Sequence, residues 1–310
     1  MTALVSSLTD AHRAFRDELL QAGLLISMGV DGLYGRSGDF ERVVEGINHA
    51  FSTVGDPDKP DVMRFPPGIG KAQLEQSGYL RSSPQLVGTV HSFNGSDSDH
   101  RAMIDTIEKG GDWTAGQVTT QVALAPAACY GVYPALAARG RMAEQGALVD
   151  VYTYCFRHEP SIDPARMQMF RQREHVRAGT EQQARSFREL WMERGKQIVG
   201  SLGLPFDVDV ANDPFFGRAG KLLATSQREE TLKFELLVPI TSTEQPTACV
   251  SFNYHRDLFG RAWNIETASG ALAHTACVGF GVERLTLALL RHHGLAIGGW
   301  PQKVRDVLGL

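Results

Sequence analysis

The stretch CFRHEPSIDPARMQMFRQRE, residues 155–174, constrains this chain more than any other. Two runs that suit strands, 151–159 and 166–176, flank the turn-rich EPSIDPA. Side chains alternate across a strand, so Arg157 and Glu159 share one face, and Arg166, Gln168, Phe170, Gln172 and Glu174 share one face of the returning strand. Charges at the ends of such a face and an aromatic ring in its middle would make a costly core, because unpaired buried charge is penalised heavily. The same set makes sense as a ligand platform. An arginine fork donates two parallel charge-assisted hydrogen bonds to phosphate, and an aromatic ring offers a base a stacking surface. An exposed, salt-bridged hairpin is the alternative reading of this segment alone.

Patterning elsewhere predicts the frame around that hairpin. Residues 8–22 read as an amphipathic helix, with Thr9 or Asp10 as N-cap before Phe15, Leu19 and Leu20, and Gly23 as the stop. A second helix is expected near Asp39 to Phe51, and VGDPDKP (54–60) as a long surface loop. Strands are expected at 117–124, 232–239, 247–254 and 271–278. Residues 181–202 read as a long helix with Phe187, Leu190, Trp191, Ile198 and Leu202 inward, and a last helix follows Gly279 and Gly281, packing Leu285, Leu287, Leu289 and Leu290. Hairpin-like strands with helices set aside predict an α+β fold on an antiparallel sheet, not a doubly wound parallel one. With no repeat, low-complexity tract or linker, residues 1–310 read as one domain.

At 310 residues, with 43% apolar and 21% charged, the chain has ordinary globular composition. The formal charge of −4 gives no general electrostatic reason to expect nucleic-acid binding, although a local basic patch stays possible within it. No apolar run has membrane-spanning length and the start lacks signal-peptide features, so a cytoplasmic protein without a membrane contact is expected. Cys129, Cys155, Cys249 and Cys277 lie far apart without CxxC spacing, and the baseline for each is a buried reduced thiol.

At this point the chain resembles a known class. FRHE (156–159), followed after a loop by RMQMF (166–170), resembles motif 2 of the class II aminoacyl-tRNA synthetases, and GFGVERL (279–285) resembles their motif 3. FPPGIGKAQLEQSGYL (65–80) is similar in order and character to motif 1, which in that class builds the dimer interface. The likeness runs from about residue 60 to the C-terminus and leaves 1–60 as an N-terminal helical extension. It implies a class II sheet, a homodimer and the use of ATP with Mg²⁺. It also implies roles: Arg157 on the α-phosphate, Glu159 at the adenine edge, Arg166 and Arg284 near the β- and γ-phosphates, and Phe170 stacked on adenine. For Arg284 the physics agrees, since the first turn of a helix already favours phosphate.

Glu174 lies about 13 Å along the strand beyond Phe170, toward the amino-acid end of such a site. Cys277 sits two residues before the motif 3 glycines, and Cys129 follows the strand expected at 117–124. Two thiolates and a carboxylate suit Zn²⁺ and leave one open position, which a substrate α-amine could take. The chain is similar here to the atypical seryl-tRNA synthetases of methanogens, which use a Cys-Glu-Cys zinc to grip the amino group. The competing reading makes both cysteines core residues and leaves Glu174 alone to pair with the amine. Cys155 and Cys249 match no ligand position, and His158, His175, His255 and His274 are left unassigned.

Seryl-tRNA synthetases carry an additional N-terminal tRNA-binding domain, typically a long charged helical arm. Residues 1–60 show no sustained heptads and no lysine before Lys59, so no tRNA-binding arm, and no tRNA partner, is expected. A synthetase core with zinc ligands and no arm resembles the bacterial amino acid:[carrier protein] ligases, as do GLYGRSGDFERVV (32–44), DPFFGRAGKLLA (213–224) and PTACVSFNYHRDLFGRAWNI (246–265). That resemblance implies an aminoacyl-adenylate, transfer to the phosphopantetheine thiol of a carrier protein, and a small amino acid, glycine or alanine. Carrier proteins are generally acidic, so Arg218, Lys221 and Arg228 within 217–230 are candidates for docking, unless that stretch is simply a solvated mixed-charge segment. Seryl-type tRNA charging and a non-enzymatic regulator are the alternatives. The second fits poorly with Arg157, Glu159, Arg166, Phe170 and Arg284 all being present.

Overall fold

The structure, a computed structural model, describes residues 2–213, 216–217, 221, 224–225, 227–228 and 230–310, with side chains from Leu8 onward. The hairpin singled out above is its centre. Strands β7 (Ala147–Phe156) and β8 (Met169–Gly179) pair antiparallel, with Val151 opposite Glu174 and Cys155 opposite Phe170. With β3 (Asp61–Met63), β9 (Asp207–Val210), β10 (Lys233–Val238), β11 (Thr247–Arg256) and β12 (His274–Gly281) they form one sheet in the order β3-β7-β8-β12-β11-β10-β9. The expected antiparallel pattern holds for all but the edge pair, because β3 runs parallel to β7. A three-residue strand at a sheet edge makes too little periodic pattern to be read in advance.

Alternation divides the sheet into two unlike faces. Leu236, Val250, Phe252, Ala276, Val278 and Phe280 face the main core, which the helices Gly38–Gly55, Glu181–Ser201 and Val282–His293 cover. Caps set two of these helices: the Ser37 hydroxyl accepts from Phe40 N–H, and Thr180 and Gln183 form a reciprocal capping box. The N-terminal helix starts at Thr2 rather than residue 8, and the second reaches Gly55, so the 54–60 loop is shorter than expected and opens with a 3-10 turn at Asp56–Asp58.

The helical face also buries arginine. Arg171 donates from Nε to Glu283 Oε1 (2.7 Å) and from Nη1 to Glu41 Oε2 (2.6 Å), while Arg173 grips both Asp150 oxygens at 3.0 and 2.8 Å. Paired forks make that burial tolerable.

Both hairpin strands stop short of their expected ends at the turn, so Arg157, Glu159, Arg166 and Gln168 lie outside them. The backbone there is claimed from elsewhere: His158 N–H donates to Leu86 and Gln168 N–H to Gly32, at 3.0 and 2.8 Å. Gly32 belongs to an unforeseen hairpin, β1 (Leu25–Val30) with β2 (Leu33–Arg36). At the other end, β12 continues through Gly279 to Gly281, so those glycines lie in a strand rather than in the expected turn. A small sheet of β4 (Gly68–Gly70), β6 (Gln117–Leu124) and β5 (Thr89–Phe93) completes the frame, and β6 matches the expected 117–124. Among the described residues no helix is long and apolar enough to cross a membrane.

Candidate active site

The sheet face away from the main helices holds two parallel rows of side chains. Glu235, Ser251, Gly279, Glu174 and Val151 lie opposite one another across five strands, and Lys233, Asn253, Cys277, Val176 and Val149 form the next row. A 3-10 turn, Ala128–Gly131, brings Cys129 over this face. The ligating atoms of Cys129, Glu174 and Cys277 all lie within 4.8 Å of one another, and all three residues are buried. Ala128 N–H donates to Glu174 Oε1 (3.0 Å), and Asn253 Nδ2 donates to Cys277 Sγ (3.4 Å).

Electrostatics make this cluster unstable as a set of free anions. Burial, then the Cys277 sulfur, pushes the Glu174 carboxyl well above the usual carboxylate range. Hydrogen bonding between the two thiols raises Cys129 and draws Cys277 down, so one proton serves the pair. A divalent cation would let all three groups ionise together, and two sulfurs with one oxygen fit Zn²⁺. The other cysteines stand apart: Cys155 lies 3.4 Å from Gln172 Oε1, and Cys249 is a core thiol that burial pushes up to about 12.

The predicted nucleotide residues gather around the motif 2 loop. Arg157 Nε donates to the Pro126 carbonyl (3.0 Å), and its guanidinium lies 5.4 Å from the centroid of the Phe170 ring. Arg166 is exposed and 3.5 Å from Glu159. Arg284 reaches back from the first turn of its helix, donating from Nε to the Ala165 carbonyl (2.9 Å) and from Nη1 to the Ala248 carbonyl (2.8 Å). Among the described residues no carboxylate forms an ion pair with Arg157 or Arg284. Two part-buried guanidiniums whose hydrogen bonds to described residues go only to carbonyls favour an anion beside them.

Sequence reasoning passed over two parts of this region. Lys233 Nζ lies 2.6 Å from Asp213 and 3.0 Å from Glu235, on the same face as Asn253 and Cys277. Burial would raise the Asp213 carboxyl, but Lys233 and Gln227 outweigh it and bring it down to about 2. Glu283, beside Arg284, points the other way and anchors Arg171. Neither could be found without the register. Of the residues expected at a docking surface, Arg218 lies outside the described residues, as does part of 213–224, and Arg228 lies 3.7 Å from Asp209.

No protein-family model matches the chain. Full-length relatives do: it is 48% identical over 287 residues to "Amino acid--[acyl-carrier-protein] ligase 1" of Bradyrhizobium diazoefficiens, covering 93% of this chain and 88% of that protein. Ligase 2 of the same organism is 47% identical over 310 residues, covering 99% and 92%. The chain belongs to this ligase family. Beyond it, the type-2 serine–tRNA ligase of Methanopyrus kandleri is 31% identical over 149 residues, 46% of this chain and 28% of that one. The fold is shared more widely than the sequence. The crystal structure of A. aeolicus tRNASec in complex with M. kandleri SerRS superposes with a TM-score of 0.80 at 20% identity, over 95% of this ligase-family chain and 60% of that chain. The cytoplasmic serine–tRNA ligase of Naegleria fowleri, solved with AMP, gives 0.68 at 14% identity, over 95% and 65%. The sheet is therefore of the class II synthetase type, as its motifs implied.

Proposed function

We propose that this ligase activates a small amino acid with ATP and passes the aminoacyl group to the phosphopantetheine thiol of an acyl-carrier protein. The observation that carries this reading is the juxtaposition, on one sheet face, of the Cys129, Glu174 and Cys277 cluster with two guanidiniums that form no ion pair with a carboxylate among the described residues.

Cys129, Glu174 and Cys277 would hold Zn²⁺, which when bound supplies a Lewis-acid position for the neutral α-amine. The chain's own groups do the rest. Arg157 and Arg284 hold the triphosphate, which enters with Mg²⁺ as part of the nucleotide, while Glu159, Arg166 and Phe170 position its base and tail. A substrate carboxylate oxygen attacks the α-phosphorus, the bond to the bridging oxygen breaks, and pyrophosphate leaves. The carrier's thiol then gives its proton to solvent, its sulfur attacks the acyl carbon, and AMP departs. A thiol needs little general-base help against a mixed anhydride, so catalysis rests on positioning and charge stabilisation.

In this reading the enzyme is a cytoplasmic homodimer that does not charge tRNA. The helix Asp97–Glu108 buries none of its residues and exposes its own Ile104 and Ile107, and Val118 and Val122 of β6 are exposed as well, which supports a second copy covering apolar surface in this part of the chain. Amino-acid-dependent ATP–pyrophosphate exchange with glycine, alanine and serine, followed by transfer of label to holo-carrier protein and to bulk tRNA, tests the whole. Labelled carrier and unlabelled tRNA are expected, and the reverse overturns the reading.

A further inference from the structure

His255 lies on the sheet face that carries Asn253 and Cys277, at an irregularity in the strand pairing. The β11–β12 register runs evenly from Val250 opposite Phe280 to Tyr254 opposite Ala276, then slips, so that Arg256 faces Thr275. His255 is the extra residue of that bulge, and Arg256 beside it takes φ 55°, a conformation side chains rarely adopt. Alternation already puts residue 255 on the Cys277 face, and the imidazole sits between Cys277 and Thr275. Nε2 lies 3.7 Å from Cys277 Sγ, and Nδ1 lies 3.0 Å from Thr275 Oγ1. The ring is also held edge-on by Phe259, at 5.0 Å between centroids and 79°.

These contacts fix the proton positions once Cys277 is a metal-bound thiolate. A thiolate has no proton to give, so Nε2 must carry the hydrogen of that contact. Nδ1 is then the bare nitrogen and accepts from the Thr275 hydroxyl, which is fully buried. We propose that His255, with its tautomer set by Thr275, is a positioning residue of the metal centre that donates an N–H···S hydrogen bond to Cys277. Asn253 supplies a second donor to the same sulfur at 3.4 Å. Among the described residues, Cys277 alone of the two thiolates receives two N–H donors in this arrangement. Each draws charge from the sulfur, weakens its donation and leaves the metal a stronger acid toward the substrate amine. The inference rests on the reading that Cys129, Glu174 and Cys277 bind a metal.

The test uses full-length wild-type, His255→Phe, His255→Gln and Thr275→Val protein, each loaded with Zn²⁺ or Co²⁺. Metal affinity is read by competition with a chromophoric chelator at fixed pH, and sulfur-to-cobalt charge transfer by absorption. His255→Phe is expected to weaken binding about 10–100-fold, because Cys277 loses the contact that orients it and holds it as a thiolate against protonation, and to move the charge-transfer band to longer wavelength, because charge returns to the sulfur. His255→Gln, which keeps an N–H donor, restores the band, and Thr275→Val falls between. A band and affinity unchanged in His255→Phe, with one equivalent bound by wild type, overturns the inference and leaves the metal reading intact. Should His255→Phe fail to fold, an unshifted band in Thr275→Val overturns it equally. Wild-type protein that binds neither ion removes the metal reading and this inference with it.

Discussion

Gly279 lies directly opposite Glu174 across β12 and β8, and a Cβ added at 279 would stand 3.5 Å from Glu174 Cγ and 3.3 Å from Ser251 Oγ. The second distance is tighter than ordinary contact, so alanine would move one of these side chains by a few tenths of an ångström. Both sit in the row that carries the candidate amino-acid site. Gly279→Ala is therefore expected to fold, to raise the KM for the amino acid in pyrophosphate exchange, and to leave the KM for ATP nearly unchanged. An equal rise in both would contradict the assignment of this row to the amino acid.

The two sulfurs of the cluster make a sharper contrast with the core thiol. Cys277→Ser should lose stoichiometric zinc together with amino-acid-dependent exchange, while Cys249→Ser should retain both, since burial keeps Cys249 protonated and it is not part of the cluster. Metal analysis after dialysis against a mild chelator decides it. Equal zinc in the two variants would return both cysteines to the core.

How much of this was legible beforehand depends on the range of the interaction. The β7–β8 hairpin announced itself through two strand-like runs around a proline-broken turn, and its pairing is local. Cys129, Glu174 and Cys277 are separated by 45 and 103 residues, and only the resemblance, not spacing, suggested that they meet. The Asp31-Gly32 turn of the β1–β2 hairpin was a readable signal that went unused, a DG pair between strand-like runs with Gly32 at φ 78°. By contrast, nothing local could tell that Glu283 faces Arg171 while Arg284 faces the motif 2 loop. That division arises because adjacent positions in a helix's first turn point in different directions, and only the sheet's register says what each meets.

Arg284 offers a test of the nucleotide site. Its Nε and Nη1 are held by the Ala165 and Ala248 carbonyls, which fixes the plane of the guanidinium and leaves Nη2 without a hydrogen bond to a described residue. Loss of a preorganised cationic donor costs about 10²–10³ in kcat where charge develops in the transition state. Arg284→Ala is expected to fall in that range in the exchange assay. Arg284→Lys should recover little, because an ammonium cannot span both carbonyls and present a further planar donor. Near-wild-type exchange by the lysine variant would show that the fork geometry is unimportant.

The buried arginine on the opposite face makes a prediction about stability. Arg171 is shared between Glu283, which is buried, and Glu41, which is about one-third exposed at 34%. Removing the arginine leaves the buried Glu283 charge with Arg36, 3.3 Å away, as its one remaining guanidinium among the described residues, whereas Glu41 can turn toward water. Breaking a buried pair from one side costs about 3–5 kcal/mol, while replacing both partners with apolar groups of similar size is often near neutral. Arg171→Met should therefore lower the urea midpoint, and Glu283→Leu added to it should cost less than Glu283→Leu alone, because the contact the two share is already lost while Arg36 loses its carboxylate in either background. Additive losses in the double variant would mean that the two side chains act independently, and that the helix bearing Arg284 is held to β8 by its apolar face alone.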